Sequence, residues 1–177
     1  MATKVITGKV RFSYAHVFEP SAMEGQKPKY SISIIISKDD TKTVEEIKAS
    51  IAEALELGKA SKFGGKIPAV WKNPLRDGDI DRPDDEAYKN AFFVNANSDN
   101  KPGVVDASVK PIITPDEFYS GCHGRAGITF YAFNSNGSKG VACGLQNVQK
   151  LSEGERLSGG SSAEEDFGAV PVAEDLM

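Results

Sequence analysis

The sequence predicts a mainly β fold, a small Greek-key barrel with one helix over an end, and three observations lead there. An Asn136-Gly137 dipeptide centres a long run of alternating residues, the strongest short-range signal for a hairpin. Further alternating runs precede and follow a single apolar stripe at helical spacing. Strands, one helix, then strands again fit within residues 1–151, the size of one such domain.

The elements follow in chain order. Residues 3–18 read as one long, coiled strand, with Val10, Phe12, Tyr14, His16 and Phe18 on the packed face and Lys9, Arg11 and Ser13 opposite. Residues 19–27, with Pro20 and Gly25, form a turn region, and residues 30–36 a second strand with Tyr30, Ile32, Ile34 and Ile36 inward. Thr43-Val-Glu-Glu46 has the form of a capping box, opening a helix whose stripe is Val44, Ile47, Ile51, Ala54 and Leu55. Gly58 suits its C′ stop. The opposite face, with Glu45, Lys48, Glu53 and Glu56, is a solvated surface with no binding role.

Residues 61–71 read as loop and short strand, with Lys59, Lys62, Lys66 and Lys72 around Phe63 and Trp71. Residues 73–90 form a polar insertion. Residues 91–96 and 104–109 are short strands about an Asn/Asp/Lys/Pro turn, and a last β region runs from Phe118 to about Val148. Phe93 is expected to pack. Residues 158–162 are a Gly/Ser linker, and the chain beyond carries too little apolar material for a core. The expected organisation is a domain over 1–151 and a flexible, disordered acidic tail over 152–177.

If Asn136 and Gly137 form a type I′ turn, the hairpin register is determined. Phe133 opposes Gly140, Tyr131 opposes Ala142 and Thr129 opposes Gly144 on one face. Ala132–Val141, Phe130–Cys143 and Ile128–Leu145 make the other, an apolar core face. The first face sets two aromatic rings beside positions with almost no side chain. Uncovered ring faces are what a base-stacking platform needs. The alternative is that the rings cover the glycines of the neighbouring strand.

Composition bounds the function classes. The chain has 177 residues, 40% of them hydrophobic, enough for one good core. No apolar run approaches a membrane span, and the N-terminus lacks the charged and apolar regions of a signal peptide. Two cysteines are no disulfide framework and suit a reducing cytoplasm. The net charge of −4 conceals an asymmetry: residues 152–177 hold seven acids and one base, so they carry −6 and the body +2. Six of the body's acids lie between Asp77 and Glu86.

Several chemistries fail on spacing. Asp77-Gly-Asp-Ile-Asp81 opens like an EF-hand loop, but Arg82 stands where the motif needs Gly and Tyr88 where it needs Glu. Gly64-Gly-Lys66 is followed by Ile67 rather than Ser or Thr and lacks the first glycine of a phosphate loop. Cys122, His123 and Cys143 are irregularly spaced without a fourth ligand, and the hairpin register buries Cys143 beside Phe130. His16 is the only other histidine, so general-base chemistry lacks candidates. Neither catalysis, a metal nor a cofactor is expected.

What remains is aromatics interleaved with bases, a pattern that grips single strands without reading their sequence. The stacking candidates are Tyr131, Phe133, Trp71 and Tyr119. The phosphate candidates are Arg11, Lys62, Lys66, Lys72, Arg76, Arg125 and Lys139, with pairing to Asp77 or Asp79 the alternative for Arg76.

Four blocks carry a resemblance. They are Asn73-Pro-Leu-Arg-Asp-Gly-Asp79, Lys101-Pro-Gly-Val-Val-Asp-Ala-Ser108, Tyr119-Ser-Gly-Cys-His-Gly-Arg-Ala followed by Phe130-Tyr-Ala-Phe-Asn, and Lys139-Gly-Val-Ala-Cys-Gly-Leu-Gln-Asn-Val-Gln149. Together they closely resemble the phage and prophage single-stranded DNA-binding proteins once catalogued as the DUF2815 family, similar in fold to the T7-type phage proteins. The resemblance runs from about Gly8 to Phe167. It implies an OB-fold, a five-stranded Greek-key barrel with extra loops, single-stranded DNA binding in phage replication or recombination, and no catalysis. Replication or recombination proteins are then the expected partners of the tail, through Glu164, Glu165, Asp166, Glu174, Asp175, Leu176 and Met177. The tail departs from the common terminal Phe of such proteins. The expected location is the cytoplasm of a bacterial host, with no membrane partner and with room for a homodimer. A structural or protein-interaction β domain using the aromatic face as an interface is the competing reading. A metal-dependent nucleic-acid enzyme built around the acidic loop is the third.

Overall fold

Hydrogen-bond ladders arrange the strands in a circuit. The structure, a computed structural model, describes residues 3–22, 25 and 27–157. Its strands are β1 (Thr3–Ile6), β2 (Val10–Ser21), β3 (Lys29–Ser37), β4 (Arg76–Asp77), β5 (Ala91–Ser98), β6 (Gly103–Val105), β7 (His123–Ser135) and β8 (Ser138–Ser152). Its helices are α1 (Thr41–Gly58) and the single turn α2 (Gly78–Asp81). The expected mainly β class with one long helix is what the chain adopts. Pairing runs from β7 to β2, β3, β5 and β8 and returns to β7. β1 lies beside β7, β6 beside β8, and β4 beside β5. Among the described residues, no helix is long and apolar enough to cross a membrane.

The hairpin of β7 and β8 has the register its turn dictates. Asn136 and Gly137 adopt φ of 52° and 86°, and Phe133–Gly140, Tyr131–Ala142 and Thr129–Gly144 are partners. Phe130, Ile128, Cys143 and Leu145 point inward and are buried with Phe12, Ile32, Ile34 and Ile36. Ile47, Ile51 and Ala54 of α1 close this core. Each fully buried side chain of this size contributes about 1.5–3 kcal/mol. A second cluster lies on the outer side of β3 and β5, where Tyr88 packs on Ile35, Ala91 and Phe93.

The structure departs from the sequence reading at several places. The single strand expected over 3–18 is two strands, because the chain breaks step at Thr7, Gly8 and Lys9. There the Gly8 amide donates to Thr43 Oγ1 at 3.0 Å. That contact draws the Thr43 hydroxyl away from capping, and Asp40 caps α1 instead, its Oδ1 accepting from the Thr43 amide at 3.2 Å. Gly58 is the last helical residue rather than the stop. A Cβ there would run into that of Ala132, so the glycine lets the helix approach β7.

The alternation of β2 also slips. Tyr14 adopts φ of 47°, and its ladder with β3 shifts register between Ser13 and His16. The slip reverses the faces beyond it: Tyr14 is 46% exposed, His16 is exposed, and Val17 is buried. Tyr14 and His16 are therefore surface residues, not packed ones. The strand expected over 104–109 ends at Val105, since Asp106 turns the chain by accepting from the Ser108 and Lys110 amides.

Candidate nucleic-acid interface

Beside the slip at Tyr14 a groove of about 1070 Å³ runs across the outer faces of β2, β3 and β5. Its floor is small and polar, with Ser31 and Ser33 from β3 and Asn95 and Asn97 from β5. Tyr14 and His16 form one wall, and Lys27, Lys29 and Arg82 supply positive charge. Among the described residues, Lys27 makes only a long, exposed contact of 3.8 Å with Asp99, worth little in water.

Arg82 is placed by the insertion over residues 73–90. Lys38 holds Asp77 and Asp79 at 2.9 and 2.8 Å, and Arg76 holds Asp81 at 3.0 Å. Those contacts dock α2 and the following turn on β5. The Arg82 guanidinium carbon then lies 5.1 Å from the ring centroid of Tyr88, 5.2 Å from Phe93 and 5.5 Å from Tyr14. Tyr88 is anchored by donating to Ser33 Oγ at 2.8 Å, and burial pushes its phenol above the ordinary value.

A second aromatic cluster lies at the hairpin. Tyr131 and Phe133, together with Lys62, Ser61, Leu57 and Asn134, line a shallow hollow of about 370 Å³. Asn134 Nδ2 donates to the Lys62 carbonyl at 3.0 Å, tying the lysine's segment to the strand. The glycines beside the rings are partly covered. Lys72 main chain fills the space above Gly140, and the Tyr131 ring edge approaches Gly144. Tyr131 nevertheless stays 36% exposed, and burial of the remainder pushes its phenol pKa up.

The other sequence candidates divide. Trp71 is half-buried against the core, while Lys72 is exposed beside it, its amide donating to the Lys139 carbonyl at 3.0 Å. Lys66 is exposed and Lys139 half-buried. Tyr119 is half-buried, its hydroxyl donating to Glu153 and accepting from the Gly154 amide and its ring covered by Arg156 at 4.3 Å. Arg11 donates to the carbonyls of Gly121 and Glu155 at 3.1 and 2.7 Å. Arg125 holds Gln149 Oε1 at 2.6–2.9 Å, and Arg76 takes the carboxylate Asp81. The tail candidates Glu164, Glu165, Asp166, Glu174, Asp175, Leu176 and Met177 lie outside the described residues.

The ladders join the two clusters. His16 pairs with Ser31, Ser31 with Asn97, Asn97 with Gly144, and Gly144 with Thr129, one row of positions across five strands. At about 4.8 Å per strand the row spans roughly 19 Å. At one end stand Tyr14 and Arg82; beside the other stand Tyr131 and Phe133. A row of small polar side chains between aromatic rings and cations offers stacking, hydrogen bonding and charge neutralisation together.

Sequence reasoning missed Tyr14, His16, Lys27, Lys29, Arg82, Asn95 and Asn97. Two signals for them were present. Ser31-Ile-Ser33 and Asn95-Ala-Asn97 alternate small polar with apolar residues, marking a bare outer face on adjacent strands. Val17, apolar at the wrong parity, marked the slip.

Comparison with known proteins identifies the arrangement. A family model described as Enterobacter phage Enc34, ssDNA-binding protein, matches residues 3–177. Protein p50 of Acyrthosiphon pisum secondary endosymbiont phage 1 is 33% identical over 97% of this chain and 96% of its own length. Among solved structures, the single-stranded DNA-binding protein from bacteriophage Enc34 in complex with ssDNA is 25% identical. That match covers 88% of this chain and 89% of that one, with a TM-score of 0.71. The single-stranded DNA-binding protein gp2.5 of bacteriophage T7 is similar in fold, with a TM-score of 0.64 at 14% identity over 97% of this chain and 100% of that one. With its OB-fold-like architecture and a family match over nearly its whole length, the chain belongs to the Enc34 ssDNA-binding protein family.

Proposed function

We infer that this protein binds single-stranded DNA without catalysis in phage replication or recombination, and that the strand lies along the row from the Tyr14–Arg82 groove to the Tyr131–Phe133 hollow. The observation that carries this reading is the ladder row His16–Ser31–Asn97–Gly144–Thr129 between the exposed rings of Tyr14 and Tyr131. Bases stack on Tyr14, Tyr131 and Phe133, and Lys27, Lys29, Lys62 and Lys72 neutralise phosphates. Of the sequence candidates, Tyr119, Arg11, Arg76 and Arg125 hold the fold instead. The site belongs to the domain that continues through Leu157. The acidic tail beyond recruits replication or recombination proteins in the host cytoplasm.

Fluorescence anisotropy with labelled oligo-dT and with duplex of equal length tests the reading. Single strands should bind much more tightly. Neutralisation of about four to six phosphates gives a slope of roughly −3 to −4 in log K against log salt. Equal affinity for duplex would contradict it.

A further inference from the structure

Arg82 is the one cation between Asp77 and Glu86, and among the described residues it stands outside the ion pairs of that loop. Asp77 and Asp79 are taken by Lys38, and Asp81 by Arg76. Arg82 follows directly in the chain, yet among the described residues its side chain has no ion pair, and its Nε is enclosed without an acceptor. A planar, weakly hydrated cation lies within cation–π reach of Tyr14, Tyr88 and Phe93. Such a group can take an oxyanion through its two terminal nitrogens. Its side chain lines the groove, where Tyr14 offers a ring to a base.

We propose that Arg82 is a phosphate seat, a fixed point that holds one phosphodiester of the bound strand and so sets the position of the neighbouring base against Tyr14. The proposal rests on the single-strand reading above and adds to it a defined register. Lysines on flexible stems hold phosphates wherever these fall. Arg82, among three rings, holds one in a single place. Asp77, Asp79 and Asp81 each have a cation of their own, whereas Asp84, Asp85 and Glu86 share a neighbouring hollow with Arg82 and do not line the groove.

The test compares the wild-type chain with Arg82→Met and Arg82→Lys, binding oligo-dT from about 50 to 200 mM salt. Methionine keeps the apolar stem on Tyr88 and Phe93 and removes the charge. Arg82→Met should lose about tenfold in affinity at low salt, and its salt slope should become shallower by about 0.7, the value of one single-strand phosphate. Arg82→Lys should keep the slope but lose affinity, because an ammonium neither stacks nor binds bidentately. Should Arg82→Met melt early, the unaltered protein gives the answer through a methylphosphonate scan of the oligonucleotide. One position should then cost far more than its neighbours, and Arg82→Lys should flatten that peak. A wild-type slope in folded Arg82→Met, or a flat scan, overturns the seat and leaves Arg82 as packing alone. Failure of the wild-type chain to bind single strands overturns the underlying reading as well.

Discussion

Asn97 and Gly144 are parallel ladder partners that join β5 to β8, and they lie on the row between the two aromatic clusters. A Cβ on Gly144 would stand 2.6 Å from Thr129 Oγ1 and 3.5 Å from Cε1 of Tyr131. Gly144→Val should therefore displace the Thr129 hydroxyl and lift the Tyr131 ring. We expect about 1–3 kcal/mol of lost stability by thermal melting and weaker binding of oligo-dT. Unchanged affinity would place the strand elsewhere.

Tyr131 and Phe130 are adjacent residues with opposite duties. Tyr131→Ala should cost about 1–3 kcal/mol of single-strand affinity while leaving the melting temperature nearly unchanged. Phe130, fully buried, should cost about 3–5 kcal/mol of stability when replaced by alanine. Anisotropy and calorimetry on both variants separate the two effects. The reverse pattern would show the hairpin faces exchanged.

Tyr14 holds a left-handed backbone that costs a non-glycine residue about 1–2 kcal/mol. Tyr14→Gly should be more stable than Tyr14→Ala by about 1 kcal/mol, yet both should bind oligo-dT more weakly. Equal stability would deny the strain, and full binding by both would remove Tyr14 from the interface.

The hairpin was legible in the sequence because one dipeptide determines its turn and parity determines everything after. The helix was legible from its stripe, though its cap was not, since Thr43 finds a better partner in Gly8, 35 residues earlier. Half of the candidate site stayed hidden. A single positive φ at Tyr14 reverses the faces of β2, and no local residue preference announces it in a tyrosine. Arg82 was equally obscure. Sequence shows it among six acids, and only the folded loop shows that three of them already hold other cations.

Acid should loosen the loop that presents Arg82. The hydrogen bond from Lys38 holds the Asp79 carboxyl below the ordinary carboxylate value, helped by the Asn90 amide. A lowered folded pKa means that the contribution is complete above the ordinary value and is lost as pH falls through the folded one. Lys38, raised by Asp79 and then Asp77, contributes fully below the ordinary lysine value and fails only as pH rises past its folded one. Protection factors of the amides in residues 78–90 should thus hold steady across neutral pH and fall in acid. Lys38→Met should lose that added acid dependence; a variant that retains it would contradict the clasp.

Two truncations should behave differently. Arg11 grips the Glu155 carbonyl, and the Leu157 amide donates to the Ser120 carbonyl at 2.9 Å. Ending the chain after Leu151 removes this strap and should lower the melting temperature; ending it after Leu157 should not. We propose that the acids beyond compete for the cations that bind DNA, so the longer truncated chain should bind oligo-dT more tightly than the full chain at low salt. That gain should shrink as salt rises. Equal melting of the two truncations would contradict the strap, and equal affinity of the full chain the competition.

The central claim is that one strand of DNA lies across both aromatic clusters, and a double-mutant cycle on binding tests it most directly. Anisotropy would give oligo-dT affinity for Tyr14→Ala, Tyr131→Ala and the double variant, with an oligonucleotide long enough to span the row and with one too short to do so. Each substitution should weaken binding of the long oligonucleotide by about 1–3 kcal/mol, with the losses roughly additive. The short oligonucleotide, able to occupy either cluster alone, should lose little to one substitution and much more to both. If only one of the two substitutions weakens the long oligonucleotide, the strand does not follow the row from Tyr14 to Tyr131.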